Sequence, residues 1–300
     1  MGVFQGKSAI IKIAAAVFSL LISGNLFSQQ ADPYKPDYRE PGKIEGMPLV
    51  WNDEFNKNGK PDSSNWRYER GFVRNKELQW YQPENANCIE GILLIEGKRE
   101  RIKNLRYREG SQDWRSAREY AEYTSASMQT RGCHEWLFGR FEIRARIDTA
   151  KGAWPAIWTL GNSGGWPECG EVDIMEFYRR EEPIILANIA WGTEKRWTAK
   201  WNEKTIPLAE LIKNDPEWVK KFHIWRMDWD SESIKLYLDD ILINTQLLKE
   251  TINADGKNPF LQPHYILLNL ALGSNGDNPA GSVFPVKYEV DYVRVYQKKN

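Results

Sequence analysis

The chain has 300 residues and a formal net charge of zero, because 41 lysines and arginines balance 41 aspartates and glutamates. This balance excludes a polybasic nucleic-acid-binding protein. The length allows one large all-β domain or two smaller domains. Tryptophan is frequent, with 14 residues, and we expect most of these rings in the core because large aromatic side chains bury well.

The first 28 residues have the pattern of a secretory signal peptide. Lys7 and Lys12 come before an apolar run at 13–22, which is too short for a comfortable membrane span. We therefore expect a secreted or periplasmic protein with no membrane span after signal removal; the alternative is an uncleaved anchor. Residues 29–47 are rich in proline and charge and predict an extended leader, which leaves 48–300 as a single domain.

Alternating apolar and polar residues predict many short β-strands after the leader. In the clearest case, apolar residues at 141, 143, 145 and 147 alternate with charged residues, so that one face packs and the other is wet. One helix is expected at 207–213, with a proline in its first turn. No linker divides the chain, and the pattern predicts an all-β sandwich of two antiparallel sheets. The predicted strands are 92–96, 123–130, 138–147, 184–191, 222–229, 234–238, 265–272 and 288–296.

Residues 98–123 form an arginine-rich segment in which basic side chains outnumber acidic ones. Two interpretations remain open. In the first, the segment is a solvated loop or a short surface helix. In the second, it is a wall of a binding cleft that senses the charge of a substrate.

The most informative stretch is 170–177, which reads Gly-Glu-Val-Asp-Ile-Met-Glu-Phe. As a strand, it places Glu171 and Asp173 on one face and apolar residues on the other, which suits a core. Strict alternation would place Glu176 on the core face, where an unpaired carboxylate is costly. One β-bulge near Met175 returns Glu176 to the face of the other two acids.

Three carboxylates on one face fit acid–base chemistry on a glycosidic bond. About 13 Å separates the outer two Cα positions at roughly 3.3 Å per residue. Two glutamate side chains that lean together reduce the carboxyl separation to about 5–5.5 Å, as in a retaining glycosidase. Crowded carboxylates raise at least one pKa and keep a proton available. From these residues alone, a solvated acidic strand edge or a metal site remains open.

The sequence before the acids narrows these alternatives. Gly-Ala-Trp-Pro-Ala-Ile-Trp at 152–158 is followed by a short glycine-rich loop and by Trp-Pro-Glu-Cys at 166–169. Together with the acid triplet, this closely resembles the catalytic segment of glycoside hydrolase family 16, in the subgroup of laminarinase-like endo-β-glucanases. Further matches, among them the family's opening strand at 49–55 and its terminal strand at 290–296, extend the resemblance to about 49–297. It implies a concanavalin A-like β-jelly roll with a concave substrate cleft, and it makes 48–300 the catalytic domain.

The resemblance also implies a role for each matched residue. Glu171 matches the nucleophile, Glu176 matches the general acid and base, and Asp173 would hydrogen-bond the nucleophile. The matched substrate-binding positions are Trp158, Trp166, Asn75 and Asn269. For each tryptophan, the alternative is a place in the core.

Many members of the family bind a structural Ca²⁺ on the side away from the cleft. Asp291 matches one ligand, the carbonyl of Gly91 is a second candidate and Glu54 is a third. Oxygen donors of this kind suit a hard cation. These three residues define the candidate calcium site, and the reaction itself is expected to need no cofactor.

One departure from the family pattern concerns the substrate. Laminarinases usually carry a pattern like His-Gly-Thr-Val-His-Tyr after the acids, and Ala190 replaces the second histidine here. Hydrolysis needs only the carboxylates, so we still expect a monomeric, endo-acting, retaining hydrolase of a β-linked polysaccharide. A β-1,3- or mixed-linkage glucan is the first expectation. Galactans or poly-lactosamine host glycans remain open as substrates, and so does a non-catalytic carbohydrate-binding jelly roll.

Overall fold

Two large antiparallel sheets account for most of the structure. The computed structural model describes residues 31–179, 181–195 and 197–298, so the predicted signal at 1–28 lies outside the described residues. Within them, each large sheet contains eight strands, and the inner faces of both sheets contribute to one hydrophobic core. The predicted all-β sandwich of two antiparallel sheets is confirmed.

The strands and helices are numbered here in chain order. The strands are β1 (Leu49–Asp53), β2 (Arg67–Tyr68), β3 (Gln79–Tyr81), β4 (Ala86–Ile89), β5 (Ile92–Gly97), β6 (Ile102–Lys103), β7 (Tyr120–Ala121), β8 (Tyr123–Ser125), β9 (Ser127–Gln129), β10 (Gly139–Ile147), β11 (Ala153–Gly161), β12 (Glu171–Arg179), β13 (Pro183–Gly192), β14 (Ala199–Asn202), β15 (Thr205–Pro207), β16 (His223–Trp229), β17 (Ser233–Leu238), β18 (Ile241–Leu247), β19 (His264–Leu272) and β20 (Val286–Tyr296). The helices are α1 (Trp114–Ala117) and α2 (Leu208–Asn214), with short 3₁₀ turns at Pro83–Asn85, Trp218–Lys220, Leu248–Glu250, Ser274–Gly276 and Pro279–Gly281.

The two large sheets differ in what their outward faces carry. The sheet with the order β18-β17-β16-β10-β20-β5-β4, in which β1 also pairs with β20, is called the outer sheet. The sheet with the order β14-β13-β12-β11-β19-β9-β2, in which β15 also pairs with β13, is called the cleft sheet. The acid triplet lies on β12, which is flanked by β11 and β13 in the cleft sheet.

Strand β10 of the outer sheet follows the predicted alternation. Its apolar side chains, such as Phe141, are buried in the core. On the opposite face, Arg140 and Arg146 form ion pairs with Asp228 on β16 and Glu289 on β20. Charged pairs across neighbouring strands thus cover the solvent side of this sheet.

Arg144 departs from this pattern because the leader covers it. Its guanidinium donates to the backbone oxygens of Lys35 at 2.8 Å and Asp32 at 2.7 Å, and it pairs with the buried Asp291. The backbone N–H of Asp37 donates to the same aspartate. The part of the leader that the structure describes is therefore anchored on the outer sheet.

The strands differ from the sequence predictions at sheet edges and at one central strand of the cleft sheet. The predicted strand at 123–130 is two strands, because β8 pairs with β3 in a small parallel sheet whereas β9 joins the cleft sheet. Strand β11 was not predicted, because it is buried along nearly its whole length and its sequence shows no alternation. Strands β14 and β18 were not predicted either, since both lie at the edge of a sheet and mix apolar with polar residues on exposed faces. The helix predicted at 207–213 is present as α2, but it begins one residue later, so that Pro207 precedes its first turn. None of the described helices is long and apolar enough to cross a membrane.

Candidate active site

The site is built on an irregularity of strand β12. Trp158 on β11 pairs with Asp173, and Ile157 pairs with Met175, so one extra residue lies between them on β12. Both Ile174 and Met175 are buried in the core. The predicted bulge is present, and it places Glu176 on the cleft side together with Glu171 and Asp173.

Each glutamate receives hydrogen bonds from aromatic side chains. The indole Nε1 of Trp166 donates to Oε2 of Glu171 at 2.6 Å. The indole Nε1 of Trp154 donates to Oε1 of Glu176 at 3.0 Å, and the Tyr178 hydroxyl donates to its Oε2 at 3.2 Å. These donors fix the orientation of both carboxyl groups without neutralising them.

Asp173 lies between the two glutamates and contacts both carboxyl groups. Its Oδ2 atom is buried, and no described N–H or O–H group donates to it. Contact between carboxyl groups is favourable only when a proton lies between them, because two carboxylates repel. The triplet therefore holds protons that isolated acids would lose.

The direction of the pKa shifts agrees with this picture. Burial raises the pKa of Glu176 to about 7, and the charge of Glu171 adds to the effect. Burial also raises the pKa of Asp173 well above its usual range, with a further increase from both glutamates. Burial raises the pKa of Glu171, but the hydrogen bond from Trp166 opposes this shift. Glu176 is thus suited to carry a proton near neutral pH, and Glu171 is better suited to be ionised.

The acids open into a cavity of about 650 Å³ on the outward face of the cleft sheet. All four predicted substrate-binding residues line it. The lining residues are Arg74, Asn75, Glu77, Trp154, Ala156, Trp158, Leu160, Trp166, Glu171, Glu176, Tyr178, Trp201, Asn269, Ser274 and Asn275. A cavity of this size accommodates several sugar units when it is open to solvent at its ends.

The four predicted binding residues differ in how they are held. Trp166 is 37% exposed, whereas Trp158 is only 8% exposed and has the Arg74 guanidinium 5.0 Å from its ring centroid. The Trp158 indole donates to Asn269 at 2.7 Å, so these two residues form part of the cavity floor. Asn75 lies in a loop that lines the cavity, and its φ is 54°.

The sequence analysis did not identify Trp201, which also lines the cavity. Its side chain is 38% exposed. In the sheet register, Glu171 pairs with Ala190, and Ala190 pairs with Trp201, so all three side chains lie on the cleft side. The small Ala190 lies where the family usually has histidine, and the indole lies one strand farther out. If β14 had been recognised as a strand, its pairing with β13 would have placed Trp201 on the cleft side.

The candidate calcium residues have other partners. Asp291 is ion-paired with Arg144, and Glu54 is ion-paired with Arg294. Gly91 lies against the Tyr38 ring of the leader. No group of three or more His, Cys, Asp or Glu side chains among the described residues could hold a metal ion. Because guanidinium groups already neutralise both carboxylates, this set does not fit a calcium site, and no step below depends on a metal.

The arginine-rich segment at 98–123 does not line the cavity. Arg106 and Arg108, which the charge-sensing interpretation requires near the substrate, are exposed. Other arginines of the segment contact backbone carbonyls and aromatic rings, as described below.

Comparison with known proteins agrees with the sequence and the fold. The family model described as glycosyl hydrolases family 16 matches residues 98–294. A β-glucanase of Rhodothermus marinus is 34% identical, and the alignment covers 83% of this chain and 85% of that protein.

Two solved structures extend this comparison. One comes from work on endo-acting O-glycanases of the human gut microbiota that initiate mucin breakdown; it is 35% identical, with a TM-score of 0.78, over 87% of this chain and 94% of that chain. The laminarinase catalytic domain of Thermotoga maritima is 30% identical, with a TM-score of 0.70, over 85% and 99% of the two chains. These similarities confirm the predicted β-jelly roll and the prediction of a glycoside hydrolase of the endo-β-glucanase type. The chain belongs to the glycosyl hydrolases of family 16.

Proposed function

We propose that this protein is a secreted, endo-acting, retaining hydrolase of β-1,3- or mixed-linkage glucan. The observation that carries the proposal is the bulge of β12, which puts Glu171 and Glu176 on one face with Asp173 in contact with both. A similar β-glucanase and a similar laminarinase support a glucan as substrate. Secretion rests on the signal pattern at 1–28.

In the first step, the Glu171 carboxylate attacks the anomeric carbon. The glycosidic C–O bond breaks, its electron pair goes to the leaving oxygen, and Glu176 gives that oxygen its proton. The products are a glycosyl ester on Glu171 and a shortened glycan. The raised pKa of Glu176, about 7, keeps this proton in place up to neutral pH.

In the second step, Glu176 acts as the base. Water gives it a proton and attacks the anomeric carbon, and the ester bond to Glu171 breaks, which regenerates both side chains. Asp173, protonated between the glutamates, donates to whichever carboxylate carries charge at that moment. Trp166, through its 2.6 Å hydrogen bond, holds Glu171 in line for attack.

The cavity walls fit a chain of sugar rings. Trp166 and Trp201 present partly exposed indoles on the side of Glu171, where the retained part of the glycan would lie. Apolar rings of this kind stack on the C–H faces of pyranoses. An opening on both sides of the acids is what internal, rather than terminal, cleavage requires.

A second candidate substrate is a host glycan of the mucin type. Ala190 in the usual position of histidine changes the wall next to Glu171, and one similar structure comes from work on O-glycanases that initiate mucin breakdown. The same carboxylates would perform the same chemistry on a galactose-containing chain. The substrate, not the reaction, separates the two candidates.

The experiment is a panel of laminarin, mixed-linkage glucan, agar-type galactan, poly-lactosamine and mucin O-glycans, with the Glu176→Gln variant as control. We expect new reducing ends and early products of mixed length from the β-glucans. Cleavage of poly-lactosamine or mucin glycans with intact β-glucans would favour the second candidate. Binding of a glycan without cleavage of any would contradict both and leave a carbohydrate-binding protein.

A further inference from the structure

One wall of the cavity is a loop in a strained conformation. Residues 72–77, called the cleft loop, carry Arg74, Asn75 and Glu77 into the cavity. Asn75 and Lys76 are consecutive and have φ values of 54° and 52°. Non-glycine residues in this left-handed region are disfavoured, and they persist only when the surroundings fix them.

The arginine-rich segment supplies this fixation. Arg115 donates to the carbonyl oxygen of Val73 through Nε at 3.1 Å and through Nη2 at 2.9 Å. Arg118 donates through Nη2 to the carbonyl oxygen of Glu77 at 2.8 Å. These two carbonyls lie on either side of the strained pair, so the loop is held at both ends.

The segment fixes its own two arginines from within. Asn104 is buried, and its side-chain amide donates to the carbonyl oxygens of Arg115 at 2.9 Å and Arg118 at 2.8 Å. The Asp113 side chain caps helix α1 by accepting from the N–H of Arg115 at 3.0 Å. Strands β6 and β7 close the segment as a small antiparallel pair.

The guanidinium group of Arg118 is partly buried and has lost part of its hydration. Its guanidinium lies 3.6 Å from the ring centroid of Phe72 and 5.5 Å from that of Trp114. Burial lowers the pKa of this arginine. No carboxylate among the described residues forms an ion pair with Arg118. Its guanidinium instead stacks on the Phe72 ring and donates to the Glu77 carbonyl.

The cleft loop in turn orders the floor of the cavity. Arg74 is ion-paired with Glu69, lies over the Trp158 ring and lines the same cavity as Glu171. Its charge opposes the rise that burial causes in the pKa of Glu171. The side chain of Ser127 donates to the same Glu69 at 2.6 Å. A shift of the loop would therefore move Arg74 and Asn75 relative to the acids.

We propose that Arg115 and Arg118 are positioning residues for substrate binding: they clamp the cleft loop in its strained form, so that Arg74 and Asn75 face the hydroxyl groups of a neutral β-linked glycan. The arginine-rich segment thus acts through the loop and not through its own charge. The glycan part of this inference rests on the function proposed above, whereas the clamp does not.

The test compares Arg118→Ala with Arg106→Ala in the full-length protein, because Arg106 is an exposed arginine of the same segment. Hydrogen exchange of the free protein is followed by mass spectrometry, and steady-state kinetics are measured on whichever panel glycan the wild type cleaves. For Arg118→Ala we expect at least tenfold faster exchange in a peptide spanning 72–78, a KM about tenfold higher and a kcat within about threefold of wild type. Arg106→Ala should match the wild type in each.

Arg118→Lys keeps one donor toward the Glu77 carbonyl but loses the planar stacking, and we expect values between those of wild type and Arg118→Ala. If Arg118→Ala fails to fold, the same measurements are made on Arg118→Lys alone. Unchanged exchange at 72–78 would overturn the clamp. Faster exchange with an unchanged KM would overturn the role in substrate binding. If no β-glucan is cleaved, the exchange result still decides the clamp, so the two proposals fail separately.

Discussion

The two sheets of this protein treat buried carboxylates in opposite ways. On the outer sheet, the buried Asp291 pairs with the buried Arg144. On the cleft sheet, Glu171, Asp173 and Glu176 form no ion pair with any described lysine or arginine. Their partners are two indoles, a phenol and each other.

This difference separates structural acids from reactive ones. An arginine partner offsets the cost of burying a carboxylate and leaves it no proton to exchange. Three unpaired buried acids cost stability, and they persist where a raised pKa is needed for proton transfer. We therefore expect mutation of the unpaired acids on the cleft sheet to lower activity, and mutation of the ion-paired acids on the outer sheet to lower stability.

The largest expected effect is on the cleft sheet. Glu171→Gln and Glu176→Gln should each lower kcat by at least about 10³-fold, equivalent to roughly 4 kcal/mol of activation free energy, because each removes one half of the two-carboxylate mechanism. Both variants should stay folded, since the amide keeps the shape and its oxygen still accepts from one indole, that of Trp166 or Trp154. Initial rates on a cleaved glycan, with circular dichroism as the folding control, check this. Turnover near the wild-type level in either variant would refute the assignment.

The reverse result is expected on the outer sheet. Asp291→Asn should lower the free energy of unfolding by about 3–5 kcal/mol, because it leaves the buried Arg144 without its counter-charge. Urea unfolding measures the loss, and kcat/KM per folded molecule should not change.

Asp228→Asn is the matched control for this variant. Its ion pair with Arg140 is about one-quarter exposed on both sides, so we expect a loss of only about 1 kcal/mol or less. Equal losses in the two variants would remove the distinction between buried and exposed pairs. A fall in kcat/KM of folded Asp291→Asn would remove the distinction between the sheets.

The smallest effect is a pH-dependent change of stability at Glu176. Its pKa rises from 4.5 to about 7 on folding, so the folded state resists its ionisation. This penalty is absent below pH 4.5, grows between pH 4.5 and 7, and is complete above pH 7. Glu176→Gln should therefore melt a few degrees above the wild type at pH 8 and close to it at pH 4, as differential scanning calorimetry would show. An equal difference in melting temperature at pH 4 and pH 8 would mean that burial does not raise the pKa of Glu176.

Sequence reasoning reached the acids and the bulge because both follow from local rules. A carboxylate at 176 on the core face is too costly, and one extra residue in the strand removes the conflict. Alternation likewise predicted β10, whereas the central strand β11 was missed because it is buried along nearly its whole length and does not alternate. The position of Trp201 could not be predicted, because its edge strand has no clear alternation and its place depends on pairing with β13.

The remaining misses are contacts between distant parts of the chain. The partner of Asp291 lies 147 residues away, and that of Glu54 lies 240 residues away, so neither ion pair is visible in a local pattern. The resemblance to the family suggested a calcium site at these carboxylates, because the arginine partners are not visible in the sequence. The arginine-rich segment was noticed for its charge, whereas its role depends on which backbone carbonyls its side chains reach.

The proposed mechanism requires Glu171 and Glu176 to act together as nucleophile and acid, with no room for an attacking water between them. Proton NMR of the first-formed product from a β-linked glycan distinguishes this mechanism from a single displacement. We expect the β-anomer to appear first and then to mutarotate, because two displacements retain the configuration. An initial α-anomer would show a single displacement by water and would rule out Glu171 as the nucleophile.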